Sequence, residues 1–313
     1  MTGADSGVST IAADTGTRPP GRLAQRPFRA FLLVLGLQGA CFCLGALALF
    51  GLLGLPRNLS NIQAFSTAAL FTACSLVGYL FVPFFLRLPH GKRTFRAYLD
   101  DIRLTRVRPF VPLLLLTVSC DAILILCQGS GSIVYRFSHG QAITLQSLAQ
   151  VFDLSAALPP RSMLLFAEMF SAFEEVAFRG IFLSMLLRKY SPRTAIIISA
   201  ATFGIGHLGS LSVGMPLVLV LGQVTWAFLY GLFYGYIFVK SGSLLPSMII
   251  HWLSNVFQEP LAASWHAAPV LEHTFYGVVF GYGLAAFLSI LWVRFFSARW
   301  LPVDATERPS ERV

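Results

Sequence analysis

The sequence predicts an all-α protein, a polytopic membrane bundle of about eight transmembrane helices, and three observations lead there. Of 313 residues, 56% are hydrophobic and only 12% charged, against roughly 25% charged in an average soluble domain. Apolar runs of about 20 residues, long enough to cross a bilayer, recur along the chain. The basic residues collect on alternate connections between those runs, which is what the positive-inside bias produces.

Taken in order, the runs lie at 30–55, 64–86, 109–127, 162–187, 194–210, 212–239, 243–258 and 274–296, the fifth and seventh being short. Before the first stand Arg22, Arg26 and Arg29; between the second and third come Arg87, Lys92, Arg93, Arg96, Arg103, Arg106 and Arg108. Arg188, Lys189 and Arg193 separate the fourth from the fifth, Lys240 the sixth from the seventh, and Arg294 and Arg299 end the eighth. The other connections hold little beyond Arg57, Arg136 and Arg161. The net charge of +9 therefore orients the protein, with both termini cytoplasmic, and a nucleic-acid partner is excluded as its explanation. The 28 Phe and 9 Tyr suit a lipid-facing surface, and Trp252, Trp265 and Trp300 fall near helix ends or in a loop, where amphipathic rings favour the interface.

The same pattern divides the chain. Residues 1–27 are expected to be a disordered cytoplasmic tail, 28–159 a set of membrane helices with a long outer loop at 128–160, and 160–258 the functional core. A final helix at 259–299 and a cytoplasmic tail at 300–313 follow. Cys41, Cys43, Cys74, Cys120 and Cys127 all fall in apolar runs, where they act as small apolar side chains.

The fourth run breaks the rule of the others. "FSAFEEVAFRGIF", residues 170–182, carries Glu174, Glu175 and Arg179, with Glu168 just ahead. A charge at a helix centre costs roughly 2.5–3.5 kcal/mol, so these four would together cost on the order of 10 kcal/mol facing lipid. They must face the bundle interior. At about 3.6 residues per turn, Glu168 and Glu175 share a face, Arg179 follows one turn after Glu175, and Glu174 is turned away by about 100°. A structural ion pair accounts for Glu175 and Arg179 and leaves Glu174 unexplained, since one guanidinium neutralises one carboxylate.

Partners for Glu174 are available on two later runs. "FGIGHLG" puts Phe203 and His207 one turn apart, and "HWLSN" does the same for His251 and Asn255. Each alone reads as an interhelical hydrogen-bonding residue. Together, a carboxylate pair, two imidazoles and a carboxamide are a set that can activate water and stabilise an oxyanion. Glu174 lies about 20 Å from either surface, so a polar cavity must reach it.

Glu-Glu-x-x-x-Arg at 174–179, Phe-x-x-x-His at 203–207 and His-x-x-x-Asn at 251–255, in that order, resemble the three motifs of the CPBP family, also called Abi or CAAX-protease-like. That family takes in type II CAAX prenyl endopeptidases and bacteriocin-processing and immunity proteins. The resemblance covers roughly residues 160–258. It implies a prenyl-endopeptidase-like core and an intramembrane endopeptidase acting on a membrane-associated protein or peptide. Carried over, Glu174 is the general base, with His207 helping to activate water; His251 and Asn255 stabilise the oxyanion; Glu175, Arg179 and Phe203 support them.

Two questions stay open at this level. Either no metal takes part or zinc does, its ligands then being Glu174, His207 and His251, although His-Glu-x-x-His is missing. The competing functions are a membrane transporter, against which the first half of the chain offers no polar counterpart beyond Asp121, and a non-catalytic scaffold or immunity protein. The Arg/Ala/Gly/Leu-rich termini point to a GC-rich bacterial genome and so to a multi-pass protein of the bacterial plasma membrane.

Overall fold

The computed structural model describes residues 22–47, 69–70, 72–153, 168–266 and 268–301, among which ten helices and no strand occur. Of the expected tails at 1–27 and 300–313, residues 1–21 and 302–313 lie outside the described residues. Among the described residues, five helical stretches are long and apolar enough to cross a membrane: Pro27–Gly45, Phe110–Ser138, Pro192–Ser212, Leu217–Ser241 and Val270–Trp300. The protein is an integral membrane protein of the all-α polytopic class.

Helix α1 is Pro27–Ala46, α2 the shorter apolar Thr72–Phe85, α3 Phe95–Asp101 and α4 Phe110–Ser138. Then come α5, Leu145–Val151, and α6 over 169–186, whose first seven residues are Met169–Glu175. Helices α7, Pro192–Gly206, α8, Leu217–Ser241, α9, Leu245–His266, and α10, Val270–Trp300, complete the bundle. Proline or a hydroxyl starts most of them. Thr94 caps α3 through Ala97 N–H at 3.3 Å, Ser191 caps α7 through Thr194 N–H at 3.3 Å, and Thr144 with Ser147 makes a reciprocal capping box on α5.

Helix α4 corrects the sequence reading. The third run was expected to stop at 127 and give way to a loop from 128; the helix continues to Ser138 through "QGSGS". Glycine and serine read as a break because they are poor helix formers in water. Here Gly129, Gly131 and Ser132 are buried against neighbours, a Cβ at Gly129 would lie 2.2 Å from the Phe152 ring, and the serines satisfy themselves on carbonyls. Ser130 donates to Cys127 O at 2.7 Å and Ser132 to Leu261 O of α9 at 2.5 Å. Small residues between membrane helices favour close packing, and packing overrides propensity. The expected outer loop thus begins only after Ser138 and holds the short α5; residues 154–167 lie outside the described ones. Helix α9 likewise runs past the expected end at 258 to His266.

The basic connection at 87–108 is packed rather than loose. Tyr98 and Ile102 are buried, Ile102 lies against Gly180 of α6, and Leu244 N–H donates to Arg103 O at 3.0 Å. The Arg103 guanidinium sits 4.8 Å from the Phe238 ring centroid, where α8 ends.

Two packed clusters flank the functional region. One joins α1, α6 and α7 through aromatic rings: Phe31 stacks on Phe182 at 4.3 Å and meets Phe178 edge-on at 4.9 Å, and Phe178 meets Phe203 at 4.8 Å. The other joins α4, α8 and α10 around Leu116, Phe233, Ile237 and Phe296. Helices α7 and α8 approach very closely. A Cβ at Gly231 would lie 2.9 Å from Ala200 Cα and one at Gly235 3.1 Å from Ile196, so this Gly-x-x-x-Gly stripe of α8 is what lets α7 in.

Candidate active site

Helix α6 carries the first group of polar residues on a changed backbone. Its α-helical turns end at Glu175, and Val176–Leu183 is π-helical before α geometry resumes at Ser184. Such π turns are rare and occur often at functional sites. This one contains Arg179, and every residue in it is buried.

Glu175 and Arg179 have no exposure at all. Arg179 Nη1 donates to Glu175 Oε1 at 2.7 Å, and Nη2 donates to the Gly231 carbonyl of α8 at 3.3 Å. The Phe203 and Tyr234 rings lie 4.6 and 5.3 Å from the guanidinium, offering their faces to a desolvated cation. Glu175 has a second partner across the bundle: His251 Nδ1 of α9 lies 2.9 Å from the same Oε1. A carboxylate beside a guanidinium is an acceptor, so Nδ1–H donates and Nε2 is the ring nitrogen left for other work. Tyr234 stacks on the His251 ring at 5.0 Å and 26°. Its hydroxyl is 3.1 Å from Ser254 Oγ, and Ser254 spends its own proton on His251 O, so the tyrosine is the donor of that pair.

The second imidazole is set in the same way by its own helix. His207 begins the 3-10 turn that follows α7, and its Nδ1 donates to the Phe203 carbonyl at 2.9 Å, again leaving Nε2 available. The Phe203 ring stands edge-on to His207 at 5.0 Å and to His251 at 5.8 Å. Phe203 therefore spaces the two imidazoles and covers the ion pair behind them.

Glu174 faces the other way from Glu175. It lines a cavity of about 380 Å³ together with His207, His251 and Asn255, within electrostatic range of both imidazoles. Among the described residues its carboxylate makes no hydrogen bond. Asn255, one turn after His251, donates from Nδ2 to Glu168 Oε2 at 3.2 Å, and Glu168 lines the cavity as well. The structure thus brings Glu174, His207, His251 and Asn255 to one space and places Glu175 and Arg179 behind it.

The rest of the wall comes from residues the motif reading did not reach. Gln223, Trp226, Ala227, Tyr230 and Tyr234 form one stripe of α8, and Tyr282 of α10 stacks on Trp226 at 4.8 Å and 15°. Their spacing of three and four residues was the available signal. As in any apolar helix, that spacing is also that of ordinary packing, which hid them.

As placed, Glu174, His207 and His251 do not fit a metal centre: among the described residues, no three or more His, Cys, Asp or Glu side chains converge to hold an ion. What the arrangement offers is a carboxylate and two imidazole Nε2 atoms around a polar space inside a membrane bundle, the apparatus of water activation. The fold is that of an integral membrane protein with a polar cavity inside its helical bundle. Residues 157–257, about a third of the chain, match the family model described as type II CAAX prenyl endopeptidase Rce1-like. The match supports a CPBP, or CAAX-protease, family assignment and, at the family level only, a CAAX-type intramembrane protease. A comparison with the curated proteins finds none that matches.

Proposed function

We propose that the protein is an intramembrane endopeptidase hydrolysing a peptide bond of a membrane-associated protein or peptide, with Glu174 as general base. The observation that carries the reading is the division between adjacent carboxylates: Glu175 is buried and held by Arg179 and His251, while Glu174 opens onto the cavity shared with both histidines. A water in that cavity would lose a proton to the Glu174 carboxylate, with His207 Nε2 holding its other hydrogen. The hydroxide adds to the substrate carbonyl. Asn255 Nδ2–H and His251 then stabilise the oxyanion, and the leaving amine takes the proton back from Glu174 as the C–N bond breaks.

The protein would sit in the bacterial plasma membrane with both termini cytoplasmic. The family description brings prenylated CAAX peptides to the front of the substrate panel, beside an unprenylated peptide anchored by a hydrophobic segment. The test is cleavage of that panel by purified protein in liposomes. Glu174→Gln keeps the side chain's shape and cannot take a proton, so turnover should fall by about 10² to 10⁴. Wild-type turnover by that variant removes the general-base assignment, and absence of cleavage by the wild-type protein itself favours a scaffold or transport role.

A further inference from the structure

We propose that Glu168 is a positioning residue for Asn255, so that each polar residue of α9 at the site is held by its own carboxylate from α6. This rests on the endopeptidase reading above. Glu168 lies outside the Glu-Glu-x-x-x-Arg motif, at the N-terminal edge of α6, and yet it reaches a residue 87 positions away to accept from Asn255 Nδ2 at 3.2 Å. The pairing runs antiparallel: Glu175 with His251 and, seven residues earlier on α6 and one turn later on α9, Glu168 with Asn255.

The chemistry of a carboxamide explains why such a partner matters. Its oxygen and nitrogen ends are nearly equal in size, and a side chain free to rotate offers a substrate oxygen an acceptor as readily as a donor. A carboxylate cannot donate, so Glu168 fixes which end of Asn255 is the nitrogen. One N–H of Nδ2 is taken by Glu168 and the other remains for the cavity that both residues line. The anchor sits on the same helix as Glu174, so base and oxyanion donor are referred to one rigid element. The backbone of Glu168 is itself tied: its carbonyl accepts from Ser171 N–H at 3.0 Å and from Ser171 Oγ at 2.6 Å.

The proposal separates from a substrate-binding role for Glu168 by where the loss falls. An orienting residue acts on the transition state, so Glu168→Ala should lower kcat by up to about 100-fold with KM little changed. Glu168→Gln keeps an acceptor oxygen and should restore most of the rate. Glu168→Asp keeps the charge and shortens the reach, and should stay impaired. In an Asn255→Ala background, Glu168→Ala should add nothing further, because what it holds is gone. All variants are compared at equal amounts of folded protein judged by size exclusion, and the Gln and Asp pair decides the matter if the alanine variant does not fold. The proposal is overturned if the loss falls on KM, if Asp outperforms Gln, or if the Glu168 and Asn255 effects multiply independently. Cleavage of the same panel by the wild-type protein tells the two failures apart: no wild-type turnover removes the endopeptidase reading and this inference with it, whereas wild-type turnover beside multiplicative Glu168 effects removes this inference alone.

Discussion

Removing the Arg179 guanidinium gives the clearest test of how the bundle tolerates charge. Arg179→Met keeps an unbranched apolar stem and deletes the 2.7 Å bond to Glu175, the 3.3 Å bond to the Gly231 carbonyl and the cation–ring contacts with Phe203 at 4.6 Å and Tyr234 at 5.3 Å. Glu175, with no exposure, keeps only His251. Breaking a buried pair from one side costs about 3–5 kcal/mol, most of it the uncompensated charge left behind. The double variant Arg179→Met with Glu175→Gln removes both charges, and glutamine still offers His251 Nδ1 an acceptor, so most of the loss should return. Stepwise heating in detergent, followed by size exclusion, reads the surviving folded fraction. Stability equal to wild type in the single variant, or a double variant no better than the single, would show that Glu175 is not held as an ion and sink the argument.

Three further outcomes follow from packing and charge. Gly231→Leu inserts a side chain where even a Cβ would lie 2.9 Å from Ala200 Cα, so α7 and α8 must part; overpacking of this kind costs about 1–3 kcal/mol, and the yield of folded protein should drop. Trp226→Ala removes the ring stacked on Tyr282 in the cavity wall, and steady-state cleavage should show a raised KM with a smaller change in kcat. With the five native cysteines removed, Lys92→Cys should resist a membrane-impermeant maleimide in intact cells, and labelling from outside would reverse the orientation drawn from the basic connections.

Much of the site was legible because desolvation makes charge conspicuous in an apolar run. Glu168, Glu174, Glu175 and Arg179 stood out on that ground alone, and helical periodicity correctly turned Glu174 away from Glu175. What periodicity could not supply was the partner. The sequence left Glu175 paired only with Arg179, whereas it also orients His251 across 76 positions, and Asn255 looked like a donor with no anchor although Glu168 holds it. Contacts between helices depend on how α6 and α9 lie beside each other, and the π turn at 176–183 that sets Arg179 beneath the cavity has no sequence marker. The aromatic stripe of α8 failed to register for a different reason: Trp226, Tyr230 and Tyr234 have the composition of any lipid-facing or packed surface. The end of α4 was missed because propensities measured in water were applied to glycines and serines that here serve close packing.

The same accounting bears on why Glu174 is there at all. Glu175 is held by a guanidinium and an imidazole, and Glu168 by a carboxamide. Glu174 alone among the three lines the cavity with no hydrogen bond among the described residues, next to Glu175 and inside the bundle. A carboxylate in that position is poorly placed for stability and well placed to take a proton, so selection for folding alone would not keep it. Glu174→Gln should then be more stable than wild type, within the range of about 0.5–2 kcal/mol seen when a strained functional group is replaced, while losing turnover. Heating curves for the two proteins, taken beside cleavage assays on the same preparations, measure both quantities at once. A Glu174→Gln protein that is inactive but less stable than wild type would mean that the carboxylate is structural, holding His207 and His251 in place by its charge, and that its loss of activity says nothing about proton transfer.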